Sequence, residues 1–281
     1  MWDSLKKRII PGLSFAAIIV SAIYFSPWTY ALIMLLIILL CTHEFFKIIK
    51  AEREPNDVLA NFHGIAVSIY ICAIFIAGFL ERLTILPTKY LSIAPFAFLL
   101  ILFLELFSKS SKPLYNIGLN VMGLLYIGIP IFMSNYIIQL SNTETGILYD
   151  GRILLGAMLL VMLNDVGAYF MGNWFGKHPL FTRVSPKKTI EGTVGGYLIN
   201  LIGGVLGFYI IGQIPLLDWL IIAVLSSTGA IIGDLVESLF KRSLQIKDSG
   251  SAIPGHGGFL DRFDAILYSL PIIATYIILR F

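Results

Sequence analysis

Four polar side chains near residue 234 follow the helical spacing i, i+3, i+4 and i+7: Asp234, Glu237, Ser238 and Lys241. A helix would place all four on one face. Two carboxylates on that face could hold a divalent cation through oxygen ligands, while Lys241 and the adjacent Arg242 bind phosphate oxygens. The same spacing also fits a simple ion pair between Glu237 and Lys241 at a helix end. Both interpretations stay open at this point.

The stretch from residue 247 to 264 is the densest in residues that carry chemistry. Its four glycines and Pro254 allow tight turns that point successive backbone N–H groups at an anion. Asp261 and Asp264, three residues apart at a predicted helix start, could share a metal ion or cap the helix. Phosphoryl and nucleotidyl transfer require an acidic metal site beside basic residues, because the cation neutralises charge on the phosphate oxygens and on the leaving pyrophosphate. This stretch is therefore the first candidate for a catalytic segment.

The pair Asn164-Asp165 stands inside an apolar run that is long enough to cross a membrane. An acid at membrane depth is costly, and it indicates function by default. The alternative is a buried aspartate that only hydrogen-bonds a neighbouring helix.

A second polar group comes just before the next apolar run: Ser185-Pro186-Lys187-Lys188-Thr189. The two lysines could be ordinary topogenic charges, or they could bind anionic lipid headgroups at ~1 kcal/mol per charge. The hydroxyl donors and the stiffening proline beside them favour a binding role, and Glu191 is predicted to hold a lysine in place.

The composition indicates a membrane protein. Of the 281 residues, 57% are hydrophobic and 13% charged, and the mean hydropathy is +0.85, whereas soluble domains have about 45–50% apolar and about 25% charged residues. So few charges cannot cover the surface of a soluble fold, which excludes soluble enzymes and disordered regulators. A net charge of +3 is too small to indicate nucleic acid as a partner. Cys41 and Cys72 lie in apolar runs without the spacing of a disulfide framework or a zinc site.

Nine apolar runs approach the ~20 residues that a membrane-spanning helix needs. Their approximate ranges are 9–26, 28–46, 62–80, 91–107, 115–138, 152–172, 193–213, 217–238 and 264–280. The predicted fold class is therefore an all-α polytopic integral membrane protein. With the N-terminus in the cytoplasm, sixteen of the 20 Lys and Arg residues fall on the cytoplasmic side, as the positive-inside rule requires. The C-terminus is then predicted to lie outside.

The two halves of the chain differ in character. Residues 1–145, with spans 1–5, are predicted to form a membrane scaffold, and residues 146–281, with spans 6–9, a catalytic half. Two cytoplasmic loops of the catalytic half, 173–192 and 239–263, carry its basic residues. The scaffold half has few polar groups near the ends of its spans: His43, Glu44 and Glu105.

Two pairs of glycines in the second half have the spacing that lets membrane helices approach closely: Gly203 with Gly207, and Gly229 with Gly233. We expect both pairs to serve helix packing.

A continuous pattern runs from residue 238 to 264: Ser238-x2-Lys241-Arg242-x4-Lys247-Asp248-x-Gly250-x3-Pro254-Gly255-His256-Gly257-Gly258-x2-Asp261-Arg262-x-Asp264. This pattern closely resembles the signature of bacterial phosphatidate cytidylyltransferases, which are also called CDP-diacylglycerol synthases. The segments Asn164-Asp165 and 185–189 also resemble motifs of that family, whereas residues 1–145 resemble it only in hydropathy.

The resemblance implies a metal-dependent nucleotidyltransferase of phospholipid biosynthesis, which converts CTP and phosphatidate to CDP-diacylglycerol and pyrophosphate. It implies an integral protein of the cytoplasmic, or inner, membrane whose active site faces the cytoplasm. The expected partners are CTP, phosphatidate and membrane lipid, with no nucleic acid, and a homodimer is left open. The expected cofactor is Mg²⁺, and a K⁺ ion beside it is left open.

The resemblance also implies roles for individual residues. The metal ligands would be Asp234 and Asp261 first, with Glu237 and Asp264 as second choices. The predicted catalytic residues are Asp234, Asp261, Lys241, Arg242 and His256, the last orienting a phosphate oxygen or a metal-bound water. The predicted substrate-binding residues are Ser185, Lys187, Lys188, Thr189, Asn164, Asp165, Lys247, Asp248, Gly257, Gly258 and Arg262.

Two other functions stay open as alternatives. A CTP-dependent polyprenol or phytol kinase would transfer the γ-phosphoryl group, although the complete Pro254–Asp264 run argues against it. A lipid transporter without enzymatic activity would use its polar spans to line a groove and would show no nucleotide dependence.

Overall fold

The computed structural model of the protein describes residues 2–50, 58–108, 110–143, 146–246, 249–250 and 258–281. Ten α-helices dominate these ranges: α1 Trp2–Phe25, α2 Pro27–Lys50, α3 Val58–Arg82, α4 Ile93–Phe103, α5 Pro113–Gly123, α6 Ile129–Ser134, α7 Arg152–Phe175, α8 Ile190–Ile210, α9 Leu216–Ser243 and α10 Leu260–Arg280. Turns of 3-10 helix flank α4 at Thr88–Ser92 and Leu104–Phe107. Four short strands complete the elements: β1 Gln139–Thr143, β2 Gly146–Asp150, β3 Pro179–Phe181 and β4 Ser185–Thr189.

Eight helical stretches within the described ranges are long and apolar enough to cross a membrane. They are Pro27–Lys50, Phe62–Arg82, Thr88–Phe107, Pro113–Ser134, Arg152–Phe175, Ile190–Ile210, Leu216–Ser243 and Leu260–Arg280. Helix α1 adds a shorter apolar stretch, Ser14–Phe25, at the place of the first predicted span. The all-α polytopic fold is thus confirmed, while the count of nine spans and the sides of the two termini stay predictions.

One span contains a local distortion. Between α5 and α6 the chain forms a π-helical turn, Leu124–Gly128, two residues before Pro130. Because proline lacks a backbone N–H, the helix cannot keep its regular hydrogen-bond ladder at this point, and a wider turn absorbs the break.

Two helices reach further into the predicted cytoplasmic loops than hydropathy indicated. Helix α9 continues to Ser243, and α10 already begins at Leu260, so the predicted loop 239–263 is largely helical at both ends. Polar residues at helix ends carry no hydropathy signal, which explains the difference. Asp261 lies in the first turn of α10, as predicted.

The chain divides into two compact units. The N-terminal unit consists of Met1–Asn135, Gln139–Asp150 and Asp248–Asp261, and the C-terminal unit of Tyr136–Ile138, Gly151–Lys247 and Arg262–Phe281. The predicted division into a scaffold half and a catalytic half stays a prediction.

In the N-terminal unit, a buried tyrosine of α2 organises the packing of aromatic rings. The Tyr30 ring lies 6.0 Å from the ring of Phe75 and 6.2 Å from that of Phe79, both on α3. Its hydroxyl is 2.7 Å from the hydroxyl of Ser134 at the end of α6, so the polar end of the ring is also satisfied. Strands β1 and β2 form an antiparallel hairpin, in which Gly146 has a φ of +132° that favours glycine.

In the C-terminal unit, helices α7, α8 and α9 pack against one another and α10 packs on α9. The glycines bring α9 and α10 together: a Cβ atom at Gly229 would lie 2.6 Å from the Cα of Ser269, and one at Gly233 would lie 2.8 Å from the Asp264 carbonyl oxygen. A Cβ at Gly207 would lie 2.9 Å from the Trp219 ring. The predicted packing role of these glycines is confirmed.

Candidate functional site

A cavity of about 370 Å³ opens in the C-terminal unit between α7, β4, the start of α8, and α9. Six of its lining residues were selected from the sequence as site candidates: Asn164, Asp165, Lys187, Lys188, Thr189 and Asp234. The fold thus brings three separate sequence segments to one cavity. Their roles in binding or catalysis stay predictions.

Helix α7 supplies the amide and the acid of the cavity. Asn164 is 1% exposed, and the next residue, Asp165, also lines the cavity. A Cβ atom at Gly196 of α8 would lie only 2.6 Å from Asn164 Oδ1. A glycine at this position therefore lets α8 pass close to the polar face of α7.

Strand β4 and the first turn of α8 supply the basic side of the cavity. Thr189 caps α8, since its Oγ1 accepts a hydrogen bond of 3.1 Å from the Gly192 N–H. Lys187 is exposed, while Lys188 is half-buried and forms an ion pair with Asp234 of α9. Ser185, at the start of β4, does not line the cavity among the described residues.

The prediction for Glu191 is wrong. Its Oε2 accepts hydrogen bonds from the backbone N–H groups of Lys177 (3.0 Å) and His178 (3.2 Å), and its Oε1 lies 2.5 Å from the Nδ1 of His178. Its partners among the described residues are thus two backbone N–H groups and an imidazole before β3, and its one ion-pair partner there is His178. Glu191 therefore fastens the β3–β4 hairpin to the start of α8.

Three carboxylates of α9 and α10 come together in the same unit. Single oxygen atoms of Asp234, Glu237 and Asp264 lie within 4.8 Å of one another. Glu237 and Asp264 are buried, with 2% and 8% of their surface exposed. Lys241 donates a hydrogen bond of 2.7 Å to Glu237 Oε2, so the ion pair that the spacing allowed is present beside the acidic cluster.

Asp261, the other first-choice metal ligand, lies in the N-terminal unit and forms hydrogen bonds with backbone N–H groups there. Its carboxylate accepts hydrogen bonds from the N–H of Ser249, at 3.0 and 3.1 Å, and from the N–H of Gly258, at 2.9 Å. These bonds join Ser249 to Gly258, which lie on either side of residues 251–257 within the 238–264 pattern.

The remaining predicted residues divide into two groups. Arg242 and Arg262 are exposed, and Gly258 is buried. Lys247, Asp248, His256 and Gly257 lie outside the described residues.

Sequence reasoning missed part of the cavity wall. Tyr169, Asn173 and Thr193 also line it. Tyr169 and Asn173 follow Asp165 at i+4 and i+8, so they continue its helical face. This periodicity could have identified them, but an exposed tyrosine in an apolar run carries no chemical signal of its own.

Comparisons with known proteins identify the family of the chain. The family model described as "Cytidylyltransferase family" matches residues 6–280. The phosphatidate cytidylyltransferase of Bacillus subtilis is 35% identical over 199 residues, which cover 66% of this chain and 71% of that protein. The enzyme of the same name from Synechocystis is 28% identical over 302 residues, covering 97% and 96%.

A third relative matches a shorter region more closely. The phosphatidate cytidylyltransferase of Staphylococcus saprophyticus is 40% identical over 172 residues, which cover 61% of this chain and 63% of that protein. The family model extends over nearly the whole chain, so the resemblance that the 238–264 pattern indicated is confirmed. The chain belongs to the cytidylyltransferase family.

Proposed function

We propose that the protein is a phosphatidate cytidylyltransferase, which joins phosphatidate to the cytidylyl group of CTP and releases pyrophosphate. The observation that carries the proposal is the cavity that Lys187 and Lys188 line together with Asp234, a member of the acidic cluster. Basic groups for two phosphorylated substrates and acidic groups for a cation are what this reaction requires.

The acidic cluster fits a hard divalent cation such as Mg²⁺. All three groups offer carboxylate oxygens, which magnesium prefers, and they lie within 4.8 Å of one another. Asp234, Glu237 and Asp264 would hold the ion, and Asp261 stays a further candidate from the sequence. When bound, the cation would neutralise charge on the phosphate oxygens and on the leaving pyrophosphate.

The residues of the cavity suit a direct displacement. An oxygen of the phosphatidate phosphate would attack the α-phosphorus of CTP, forming a new P–O bond while the bond from that phosphorus to the β-phosphate oxygen breaks. Lys187 and Lys188 would bind the negatively charged phosphates and reduce the repulsion between the two substrates.

The membrane placement agrees with a lipid substrate. Eight helical stretches of the described residues are long and apolar enough to span a membrane, and both helices that carry the acidic cluster, α9 and α10, are among them. The excess of Lys and Arg on the predicted cytoplasmic side supports a site on the cytoplasmic face of the inner membrane, where CTP is available. Reporter fusions at the β3–β4 hairpin and after Phe281 test this orientation, and a reporter on the hairpin that is active outside the cytoplasm would contradict it.

The decisive experiment measures pyrophosphate release by the purified protein in detergent or nanodiscs. Release that requires CTP, phosphatidate and Mg²⁺ together, with formation of CDP-diacylglycerol, supports the proposal. A lipid kinase would produce CDP and a phosphorylated alcohol, and a transporter would leave CTP intact. Either result would overturn the proposed function.

A further inference from the structure

A buried acid in the predicted scaffold half has contacts that a scaffold does not need. Glu44 lies on α2, where it is 6% exposed among apolar neighbours such as Phe45 and Cys41. Burial of a carboxylate is costly unless hydrogen bonds compensate for its lost hydration. The partners of Glu44 therefore indicate what the residue does.

Glu44 binds both described ends of the signature segment, residues 249–260. Its Oε2 accepts a hydrogen bond of 2.9 Å from the N–H of Leu260 and one of 3.3 Å from the hydroxyl of Ser249. Leu260 is the first residue of α10, so its N–H has no acceptor within the helix. The carboxylate also lies at the positive end of that helix dipole, which stabilises a negative charge. Glu44 thus caps α10 from another helix.

Two glycines of the signature segment make room for this carboxylate. A Cβ atom at Gly258 would lie 2.4 Å from Glu44 Oε2, and one at Gly250 would lie 2.8 Å from Glu44 Oε1. Neither position leaves space for a side chain while Glu44 keeps its contacts. The need for these glycines therefore follows, at least in part, from the approach of Glu44.

We propose that Glu44 is a positioning residue, which holds the signature segment in its working conformation through Ser249 and Leu260. The inference rests on the proposed function, because that function makes the segment part of the active site. Asp261 binds the N–H groups of Ser249 and Gly258, so two carboxylates fix the same two ends. Glu44 touches no substrate in this role, and its effect on catalysis passes entirely through the segment.

The test compares Glu44→Ala with Glu44→Gln in the full-length protein. The alanine removes both hydrogen bonds, and we expect kcat to fall about tenfold or more, with a smaller change in KM for CTP. The glutamine keeps an acceptor oxygen, and we expect it to restore most of kcat. Amide hydrogen exchange of Gly258 and Leu260 should become about tenfold faster in the alanine variant, because the N–H of Leu260 has lost its acceptor.

Two controls separate positioning from general stability. His43→Ala changes the exposed neighbour on the same helix, and Glu105→Gln changes another buried acid of the N-terminal unit, whose carboxylate accepts a hydrogen bond of 2.8 Å from Asn116. Neither should accelerate exchange at residues 258–260 or lower the kcat of the folded protein. If Glu44→Ala keeps kcat within about twofold, or leaves exchange at Leu260 unchanged, the positioning role is wrong.

A double-mutant cycle with Gly250→Ala gives an independent readout, because the two atoms nearest to a Cβ at Gly250 both belong to Glu44, at 2.8 and 3.1 Å. The added methyl group would collide with Glu44, so it should cost less in the Glu44→Ala background than in the unaltered protein. Additive losses would overturn the proposal. If the proposed function itself is wrong, the unaltered protein releases no pyrophosphate. The amide exchange rates would still report on the contact of Glu44 with Leu260.

Discussion

Two carboxylates of the C-terminal unit and two of the N-terminal unit have different kinds of partner. In the C-terminal unit, Asp234 pairs with Lys188 and Glu237 pairs with Lys241. In the N-terminal unit, Glu44 and Asp261 accept hydrogen bonds from backbone N–H groups. A lysine side chain can turn away when a ligand takes its place, whereas a backbone N–H moves only with its segment. The lysine-paired acids are therefore suited to binding, and the backbone-bound acids to holding the chain.

The comparison predicts the largest loss for Asp234→Asn. The substitution keeps the size of the side chain but removes one negative charge from a site that would hold a doubly charged cation. We expect turnover to fall on the order of 10²-fold or more, since several kcal/mol of charge stabilisation are involved and each ~1.4 kcal/mol is tenfold in rate. The rate of pyrophosphate release by monodisperse protein at limiting Mg²⁺ measures this loss of turnover. Asp150→Asn, at the end of the β1–β2 hairpin, is the matched control, and near-normal turnover of Asp234→Asn would remove this residue from the metal site.

Asp261→Asn distinguishes the two kinds of carboxylate, because the sequence predicts a metal ligand here, whereas the structure gives the carboxylate three backbone hydrogen bonds. An amide has one acceptor oxygen in place of two, so we expect a loss of roughly 10- to 100-fold in turnover. If the backbone contacts cause the loss, amide exchange at Ser249 and Gly258 becomes faster and the Mg²⁺ concentration for half-maximal activity stays unchanged. A raised Mg²⁺ requirement with unchanged exchange would instead assign Asp261 to the metal.

Lys188→Ala tests whether the lysine partner of Asp234 also serves a substrate. We expect kcat/KM to fall about tenfold, because one of the two cavity lysines is lost while the fold is retained. Lys177→Ala is the matched control, since Lys177 carries the same charge in the same predicted loop and is absent from the cavity lining. Unchanged kinetics of a Lys187→Ala/Lys188→Ala double variant would return both lysines to a topogenic role.

Glycine substitutions should have the smallest effect on catalysis and a clear effect on stability. Gly229→Ala would place a methyl group 2.6 Å from the Ser269 Cα, and we expect overpacking to cost about 1–3 kcal/mol of unfolding free energy. Gly118→Ala on α5 has no atom within 4 Å of the added Cβ, so it should leave the melting temperature unchanged or slightly raised. Melting curves in the same detergent compare the two, and equal melting temperatures would contradict a tight contact between α9 and α10.

The sequence predicted the parts of this molecule that depend on composition and local spacing. Apolar runs located the helices to within a few residues, and the i, i+3 spacing placed Asp234 and Glu237 on one face of α9. It did not predict the β3–β4 hairpin, because strands of three and five residues leave too short a pattern. It also did not predict the partners of Glu44, because Ser249 and Leu260 are 205 and 216 positions away along the chain, and such contacts follow from tertiary packing and not from local spacing.

The ion pair between Lys188 and Asp234 has a thermodynamic consequence for the order in which ligands bind. Each partner is occupied by the other, so a cation that binds Asp234 releases Lys188, and a phosphate that binds Lys188 releases Asp234. Either ligand alone must break the pair, but the second one finds its partner already free. Linkage makes this advantage reciprocal. Metal and nucleotide should therefore strengthen each other's affinity, and inorganic anions without a metal should compete poorly for the cavity.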